Sequence, residues 1–284
     1  MSIIITFQKY VRPQSLEEAW ELNQKKRHRI VAGMMWLKMG KHSFGTAIDL
    51  CDLGLDEIEE TENEFRIGAM VTLRQMEKHP GLAAYSCGAV EAAFKDIVGV
   101  QFRNGATLGG SLWRRMGFSD IVTVFMAMDG YVELFEGGIV PLEEFVGMKY
   151  DKDLLVRLIV KKQPGAFAYQ AVRKQRTDLT SLNCAASKLG DEYRVVVGSR
   201  PARAMILRDD QGILANGITE ESAASFAEYA ANTVPVSGNM WGSAEYRKAL
   251  VPVLTRRTLM ALGGCCNGNQ NQTEWKDGFR RYPS

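Results

Sequence analysis

The stretch QFRNGATLGGSLW, residues 101–113, places Gly109 and Gly110 side by side within an otherwise apolar, strand-like run. Glycine in such a run costs stability, because it loses backbone entropy and packs no side chain. A bulge or tight turn would explain an isolated pair of glycines. Alternatively, the exposed amides of a turn form a concave anion site, where a phosphate oxygen meets no Cβ atom. These residue types therefore indicate either a turn or a phosphate-binding backbone.

Other chemistries find little support in the residue pattern. The chain has neither the G-x-G-x-x-G fingerprint of many dinucleotide enzymes nor the G-x-x-x-x-G-K-[ST] loop of phosphate-transfer enzymes. The histidines fall in different elements with no nucleophile beside them in a motif, which argues against a hydrolase triad. The five cysteines have neither metal-ligand spacing nor a disulfide framework, and stand at positions 51, 87, 184, 265 and 266.

Length and composition are those of a globular protein with room for two or three domains. The 284 residues are 46% hydrophobic and 24% charged, with a formal net charge of +2. No basic tract suggests nucleic acid or a membrane surface as a partner, and no run approaches the ~18 apolar residues of a membrane helix. The N-terminal apolar run is too short for a signal peptide. We therefore expect a cytoplasmic, reduced protein.

The elements that position the glycine pair alternate between helix and strand in the first half of the chain. Ser15 and Glu18 form a capping box before a helix, and short strands are predicted in RIVAGMMWL and TAIDLCDL. The segment EFRIGAMVTLRQMEKHP reads as a strand followed by a helix. Residues 101–113 are predicted to be a buried strand and turn, and SDIVTVFMAMDG a helix buried on all sides.

A change of pattern follows Pro164. Strand-like segments lead into two long helical patterns, TEESAASFAEYAANT and SAEYRKALVPVLTRRTLMAL. This arrangement predicts an α+β unit with antiparallel strands and segregated helices. The last residues, 263–284, are polar and rich in turn formers, and we expect them to be weakly ordered or docked onto another surface.

Several motifs, in order, resemble one known family. The run RNGATLGGSL followed by SDIVTVFMAMDG is similar to the FAD-binding subunit, the medium flavoprotein chain, of the xanthine dehydrogenase and carbon monoxide dehydrogenase family of molybdenum hydroxylases. Further agreement comes from EFRIGAMVTLRQMEKHP, RKQRTDLTSLNCA and GSAEYRKALVPVLTRRTL. The resemblance covers roughly residues 5–262, and separate motifs in order match by chance far less readily than one glycine pair.

The resemblance implies an α+β protein with a two-lobed FAD-binding fold. Two N-terminal α/β subdomains, at 1–55 and 56–164, would hold FAD, and a C-terminal domain of antiparallel strands with helices would follow at 165–262. The backbone around Thr107, Gly109, Gly110 and Ser111 would approach the FAD pyrophosphate. Asp120 would both accept hydrogen bonds from the ribityl or flavin region and cap its helix, the alternative being that it only caps the helix. Leu155 is the candidate to cover the isoalloxazine.

The second pyrophosphate loop departs from the family. Where the family has A-G-G-T-D-L, this chain has AGMMWL, that is, Ala32, Gly33, Met34, Met35, Trp36 and Leu37. A methionine still donates its backbone N–H provided that its φ is negative. Trp36 either stacks on a ring of FAD or packs as a core aromatic under the loop. Two interpretations follow: FAD binds through rearranged contacts, or the subunit has lost FAD and serves as a flavin-free scaffold.

By resemblance, the chain is an oxidoreductase subunit that transfers electrons. FAD would receive them from a [2Fe-2S] subunit, itself reduced by a molybdenum-cofactor subunit, and pass them to NAD or another acceptor. No catalytic acid or base and no metal ligand is assigned to this chain, since the other centres would lie on partner chains. A free-standing oxidase of the wider FAD family is the remaining alternative, and the GSAEYR signature argues against it.

Overall fold

The computed structural model describes residues 4–266. Its strands form separate sheets of three, five and four strands, which follow one another along the chain. The first sheet is parallel, whereas the second and third are antiparallel throughout. The α+β fold class predicted from the sequence is therefore confirmed.

The first sheet has the strand order β1-β3-β2. Its strands are β1 (Thr6–Val11), β2 (His28–Val31) and β3 (Ser43–Asp49), and α1 (Leu16–Asn23) connects the first two. Ser15 caps α1 by accepting the amide of Glu18, as the sequence predicts. The sheet packs on the second one through a small apolar cluster that includes Ile48 and Val156.

The second sheet has the strand order β4-β5-β8-β6-β7. Its strands are β4 (Ile58–Glu60), β5 (Glu64–Gly68), β6 (Tyr131–Leu134), β7 (Gly138–Pro141) and β8 (Leu155–Lys161). The helices inserted between these strands are α2 (Leu73–Lys78), α3 (Pro80–Tyr85), α4 (Ala89–Phe94), α5 (Val100–Gly105), α6 (Leu108–Trp113), α7 (Asp120–Ala127) and α8 (Leu142–Phe145).

The third sheet, in the order β12-β11-β10-β9, carries two long helices. The elements are β9 (Gly165–Arg173), β10 (Thr180–Leu189), β11 (Glu192–Gly198), β12 (Met205–Arg208), α9 (Glu220–Thr233) and α10 (Ala244–Cys266). Helix α7 contacts β10 and β11, and every one of its residues is buried, which confirms the predicted all-round burial. It therefore joins the second and third sheets in one apolar core.

Two local predictions are wrong. Residues 101–113 are not a strand and turn but belong to helices α5 and α6, because Thr107 caps α6 and its hydroxyl accepts the amide of Gly110. Helix α10 continues to Cys266, so residues 263–266 of the predicted polar tail are helical. The rest of that tail lies outside the described residues. No helix among residues 4–266 has the length and apolar character needed to cross a lipid bilayer.

The last turn of α10 is tied to the second lobe by a thiol pair. Cys265 forms a hydrogen bond with Cys87, which lies between α3 and α4 in a left-handed conformation with a φ of 51°. This bond, together with the backbone of Phe167, lowers the pKa of the Cys87 thiol to about 6 against the opposing effect of burial.

The thiol pair gives a pH-dependent prediction. Alkylation of the native protein by iodoacetamide should label Cys87 with a pH midpoint near 6, and Cys265→Ala should raise that midpoint toward the ordinary thiol value. Peptide mass spectrometry across a pH series measures both. Cys184, whose pKa burial raises to about 12, is the internal control and should stay unlabelled. An unchanged midpoint in the Cys265→Ala variant would contradict the assignment.

Candidate functional site

An open cavity of about 420 Å³ lies between the first and second sheets. Its volume is within the range of roughly 300–1,000 Å³ that is usual for ligand sites. The walls come from the loop after β2, the start of α6 and the segment that leads into β8. The structure brings together all the predicted site residues except Asp120, namely Ala32, Gly33, Met34, Met35, Trp36, Leu37, Thr107, Gly109, Gly110, Ser111 and Leu155.

The loop after β2 lines this cavity and has unpaired backbone donors. Within residues 4–266, the amides of residues 33–36 donate to no backbone or side-chain acceptor. The carbonyls of Met34 and Trp36 are used, because they accept the amides of Lys38 and Met39 in the following turn. Backbone amides that lack an internal partner bind water or a ligand. The loop is thus built to receive an acceptor-rich group such as a phosphate.

Close packing holds this loop against α5. A Cβ atom on Gly33 would lie 1.3 Å from the carbonyl oxygen of Gly105, so only glycine fits there. A Cβ atom on Gly105 would in turn lie 2.3 Å from the terminal methyl of Met35. Met35 therefore fills the space that this second glycine leaves. These contacts fix the loop without the threonine and aspartate that the resemblance leads one to expect.

Trp36 extends the loop toward a second, smaller cavity. Its ring lies 6.2 Å from Phe102 and 5.9 Å from Phe118, centroid to centroid. The residue lines both cavities and remains 40% exposed. It is therefore not a core aromatic buried under the loop, and the core alternative is wrong. Stacking on a ring of FAD stays a prediction.

Met34 has a φ of 54°, in the left-handed region that favours glycine. The sequence-based prediction required a negative φ for a methionine in this loop, and Met34 does not meet that condition. The strain of a side chain there costs about 1–2 kcal/mol. Such strain persists where the surroundings fix the backbone, and the contacts of Gly33 and Met35 supply that constraint. The loop has kept a glycine-like backbone after losing the glycine.

Replacing Met34 by glycine should therefore stabilise the protein. The relief of strain, reduced by the extra entropy of an unfolded glycine, leaves a gain of about 0.5–1 kcal/mol in the free energy of unfolding. Urea denaturation of the variant measures this gain. Met35→Gly is the matched control and should lose stability, since Met35 fills the space beside Gly105. A loss of stability in Met34→Gly would show that its side chain matters more than its backbone.

The two glycines of α6 have different roles. The amide of Gly109 donates to the carbonyl of Ala69 at 2.8 Å, and a Cβ atom at this position would lie 2.8 Å from that same oxygen. Position 109 therefore requires glycine, because the backbone of Ala69 lies too close for a side chain. A Cβ atom on Gly110 would meet only the hydroxyl of Thr107, at 3.2 Å, and Gly110 is exposed. Only the second glycine leaves open space at the cavity.

The amides of α6 are already engaged within the protein. Leu108 donates to Val71 at 2.9 Å, Ser111 donates to the carbonyl of Thr107 at 3.1 Å, and Gly110 makes a long bond of 3.3 Å to the Thr107 hydroxyl. The glycine pair in the sequence predicts exposed donors at this turn. The structure corrects that expectation: the unpaired donors belong to residues 33–36, because the first amides of α6 already donate to the carbonyls of Val71 and Ala69 and to the Thr107 hydroxyl.

Asp120 lies apart from the main cavity and lines the smaller one. Its carboxylate is buried and accepts hydrogen bonds from Tyr169, Asn183 and Arg173, the last at 2.8 Å. Burial raises the pKa of Asp120, and these three partners oppose that shift. The capping role belongs instead to Ser119, whose hydroxyl accepts the amide of Val122. Capping by Asp120 is therefore wrong, and its contact with a ligand stays a prediction.

The positive charge at the cavity is not predictable from any local motif in the sequence. Arg29, Arg114 and Lys152 line it and come from distant parts of the chain. Burial and the nearby Arg29 lower the pKa of the Lys152 ammonium group. Asp151 and Asp153 flank Lys152 and partly balance this charge. No local motif marks these residues, because they meet only through the packing of the two lobes.

The cleft has the properties of a site for a phosphate-containing cofactor: unpaired amides, basic side chains and an apolar wall. The fold and the site thus define a protein that binds a dinucleotide-type cofactor between two lobes. Residues 5–162 match the family model described as the FAD binding domain in molybdopterin dehydrogenase. The chain belongs to this family, its cofactor is FAD, and it is an oxidoreductase subunit. The flavin-free alternative is not favoured.

Known proteins of similar sequence and fold agree with this assignment. The medium subunit of nicotine 6-hydroxylase from Paenarthrobacter nicotinovorans is 26% identical over 279 residues, covering 90% of this chain and 97% of that protein. A chain of carbon monoxide dehydrogenase from Hydrogenophaga pseudoflava superposes with a TM-score of 0.79 at 22% identity, covering 89% of this chain and 96% of that one. Quinoline 2-oxidoreductase from Pseudomonas putida 86 superposes with a TM-score of 0.77 at 21% identity, covering 93% of this chain and 98% of that one. The structural matches establish the fold.

Proposed function

We propose that this chain is the electron-transferring flavoprotein subunit of a molybdenum hydroxylase complex. FAD supplies the redox chemistry, taking electrons from a [2Fe-2S] subunit that a molybdenum-cofactor subunit reduces, and delivering them to NAD or another acceptor. The chain itself binds and orients the flavin. The name of the nicotine 6-hydroxylase medium subunit supports this proposal, since it describes one chain of a larger assembly.

The observation that carries the proposal is the set of unpaired amides at residues 33–36 beside the open space at Gly110. A pyrophosphate is rich in acceptor oxygens and negatively charged, and main-chain N–H groups bind such groups without a side chain. Arg29, Arg114 and Lys152 add positive charge to the same cavity. The altered loop therefore supports retention of FAD by replacing side-chain contacts with a fixed backbone.

The remaining site residues would shape the flavin pocket. Leu155, the first residue of β8, is buried at the cavity and would cover the isoalloxazine. Thr107 and Ser111 place hydroxyls at the start of α6, although both already bond within the helix. Asp120 would act mainly by joining α7 to β9 and β10 through Tyr169 and Asn183. We include all four residues in the proposed FAD site.

The test is the cofactor and metal content of the complex purified gently through this chain. We expect an oxidised-flavin absorption spectrum, FAD nearly equimolar with the chain, and iron and molybdenum in the same fractions. Addition of NAD to the reduced complex then identifies whether NAD is the acceptor. A colourless chain that does not take up added FAD would refute the proposed site. A flavin-loaded chain that never carries iron would refute the electron-transfer role.

A further inference from the structure

Two cysteines that are far apart in the sequence meet where the end of α10 reaches the turn between α3 and α4. Cys87 lies in that turn, Cys265 lies in the last turn of α10, and the two thiols form a hydrogen bond. Helices α4 and α10 both pack on β9, which brings the two segments together. Both cysteines are partly exposed, so a small oxidant in solution can reach them. A disulfide needs two sulfurs that are already adjacent, and this pair meets that condition.

The turn that carries Cys87 is fixed by its own hydrogen bonds. The amide of Gly88 donates to the carbonyl of Ala83 at 2.9 Å, and the Ser86 hydroxyl accepts the amide of Val90 at 3.2 Å. Cys87 has a φ of 51°, a left-handed conformation that persists in a residue other than glycine where the surroundings fix the backbone. The turn therefore holds the Cys87 sulfur beside the last turn of α10.

The last turn of α10 depends on tertiary contacts. Gly263 and Gly264 precede Cys265, and each glycine lowers the helix propensity of this turn. A Cβ atom on Gly263 would lie 3.3 Å from Ile218, whereas a Cβ atom on Gly264 would meet nothing within 4 Å. The contact of Cys265 with Cys87 thus anchors a turn of low intrinsic stability.

The surroundings of Cys87 favour reaction at this sulfur. The hydrogen bond from Cys265 and the backbone of Phe167 lower the pKa of the Cys87 thiol, against the opposing effect of burial. Burial raises the pKa of Cys184, and desolvation together with Asp49 raises that of Cys51. Because the thiolate is the nucleophile, Cys87 is the sulfur that an oxidant attacks first, and Cys265 is its resolving partner.

We propose that Cys87 and Cys265 form a redox-sensitive modification site, at which hydrogen peroxide converts the thiol pair into a reversible disulfide. The new bond ties the end of α10 to the turn between α3 and α4. Oxidation therefore replaces a hydrogen bond by a covalent link where the helix is intrinsically weak. This inference goes beyond the proposed function and does not depend on bound FAD.

The reaction consumes one molecule of peroxide and yields two molecules of water. The Cys87 sulfur attacks a peroxide oxygen, the O–O bond breaks, and the displaced hydroxide leaves with the thiol proton as water, so that a sulfenic acid remains. The Cys265 sulfur then attacks the Cys87 sulfur, the S–S bond forms, and the sulfenic hydroxyl leaves with the Cys265 proton as the second water. The thiols lose two electrons and the peroxide gains them. Dithiothreitol reverses the change by reducing the disulfide and becoming oxidised itself.

The experiment treats the full chain with a small excess of hydrogen peroxide. Remaining thiols are blocked with iodoacetamide, and tryptic peptides are analysed by mass spectrometry without reduction. Trypsin leaves Cys265 and Cys266 in one peptide, so the Cys266→Ser variant assigns the partner of Cys87. We expect a cross-link between Cys87 and Cys265 and a rise in Tm of roughly 5–10 °C, both reversed by dithiothreitol. Cys51→Ser is the matched control, since Cys51 is an exposed cysteine outside the pair.

The variants separate this disulfide from other products of oxidation. The cross-link and the Tm shift should persist in Cys51→Ser and Cys266→Ser, and both should be lost in Cys87→Ser and Cys265→Ser. A cross-link to Cys266 or between two molecules overturns the proposal, as do unchanged peptides or a sulfinic acid at Cys87 with Cys265 still open to alkylation. Circular dichroism of the reduced variants verifies that serine leaves the fold intact. If Cys87→Ser does not fold, the peptides of the unaltered chain and of Cys266→Ser still decide the question.

Discussion

Replacing Gly110 by valine is expected to remove FAD binding while the apoprotein stays folded. A Cβ atom at this residue meets only the Thr107 hydroxyl at 3.2 Å, so the side chain can extend into the open cavity. There it occupies the space proposed for the pyrophosphate. The loss of charge-assisted contacts corresponds to at least about a 100-fold weaker affinity. Titration of the apoprotein with FAD, followed by flavin fluorescence, measures this change.

Two further glycines provide controls for that experiment. Gly109→Val should lower the free energy of unfolding by about 3 kcal/mol, because its Cβ atom would press on the Ala69 backbone. Gly99→Val should leave FAD affinity unchanged, since a Cβ atom there meets only the side chain of Gln101, at 3.4 Å. If Gly110→Val binds FAD as tightly as the unaltered chain, the pyrophosphate does not lie at the start of α6.

The second large effect is expected from Arg247→Met. The Arg247 side chain is 1% exposed, and no carboxylate among the described residues pairs with it. Its guanidinium donates instead to oxygens of Ser181, Ser199, Ser237, Asn239 and Gly242. Removing it leaves buried acceptors unpaired, which should cost about 3–5 kcal/mol of unfolding free energy. Urea denaturation measures this loss.

Arg256→Met is the control on the same helix. Arg256 is half exposed and pairs with Glu220 on α9, so its loss should change stability by less than about 1 kcal/mol. The loss of unfolding free energy in Arg247→Lys should be intermediate, because one ammonium group cannot reach all the oxygens that the guanidinium group binds. A stable Arg247→Met variant would mean that water replaces the guanidinium.

Arg247, the arginine of the GSAEYR signature, has a role that its motif does not reveal. The motif was one of several that gave the family resemblance, but it gave no role for Arg247. The structure supplies that role: the side chain connects β10, the end of β11 and the turn before α10. A buried cation with only neutral partners cannot be inferred from a motif, because its acceptors are carbonyl groups that every residue carries.

The sequence by itself determined what depends on local pattern. Apolar periodicity and capping residues fixed most helices and strands, as at Ser15 and along α7, and the order of motifs identified the family and FAD. It misjudged residues 101–113, since an apolar run with two glycines suits a short capped helix as well as a strand. The replacement of the family's glycine and threonine by Met34 and Met35 was visible, but its consequence for the backbone was not.

Only the tertiary structure decided which backbones approach one another. It placed Gly33 against Gly105 and Gly109 against Ala69, and so separated glycines required by packing from Gly110, which borders open space. It also left the amides of residues 33–36 without internal partners and engaged those of α6. The physical reason is that hydrogen-bond pairing and steric contact depend on distances between remote segments. Those distances follow from how the lobes pack, and no local run of residues encodes them.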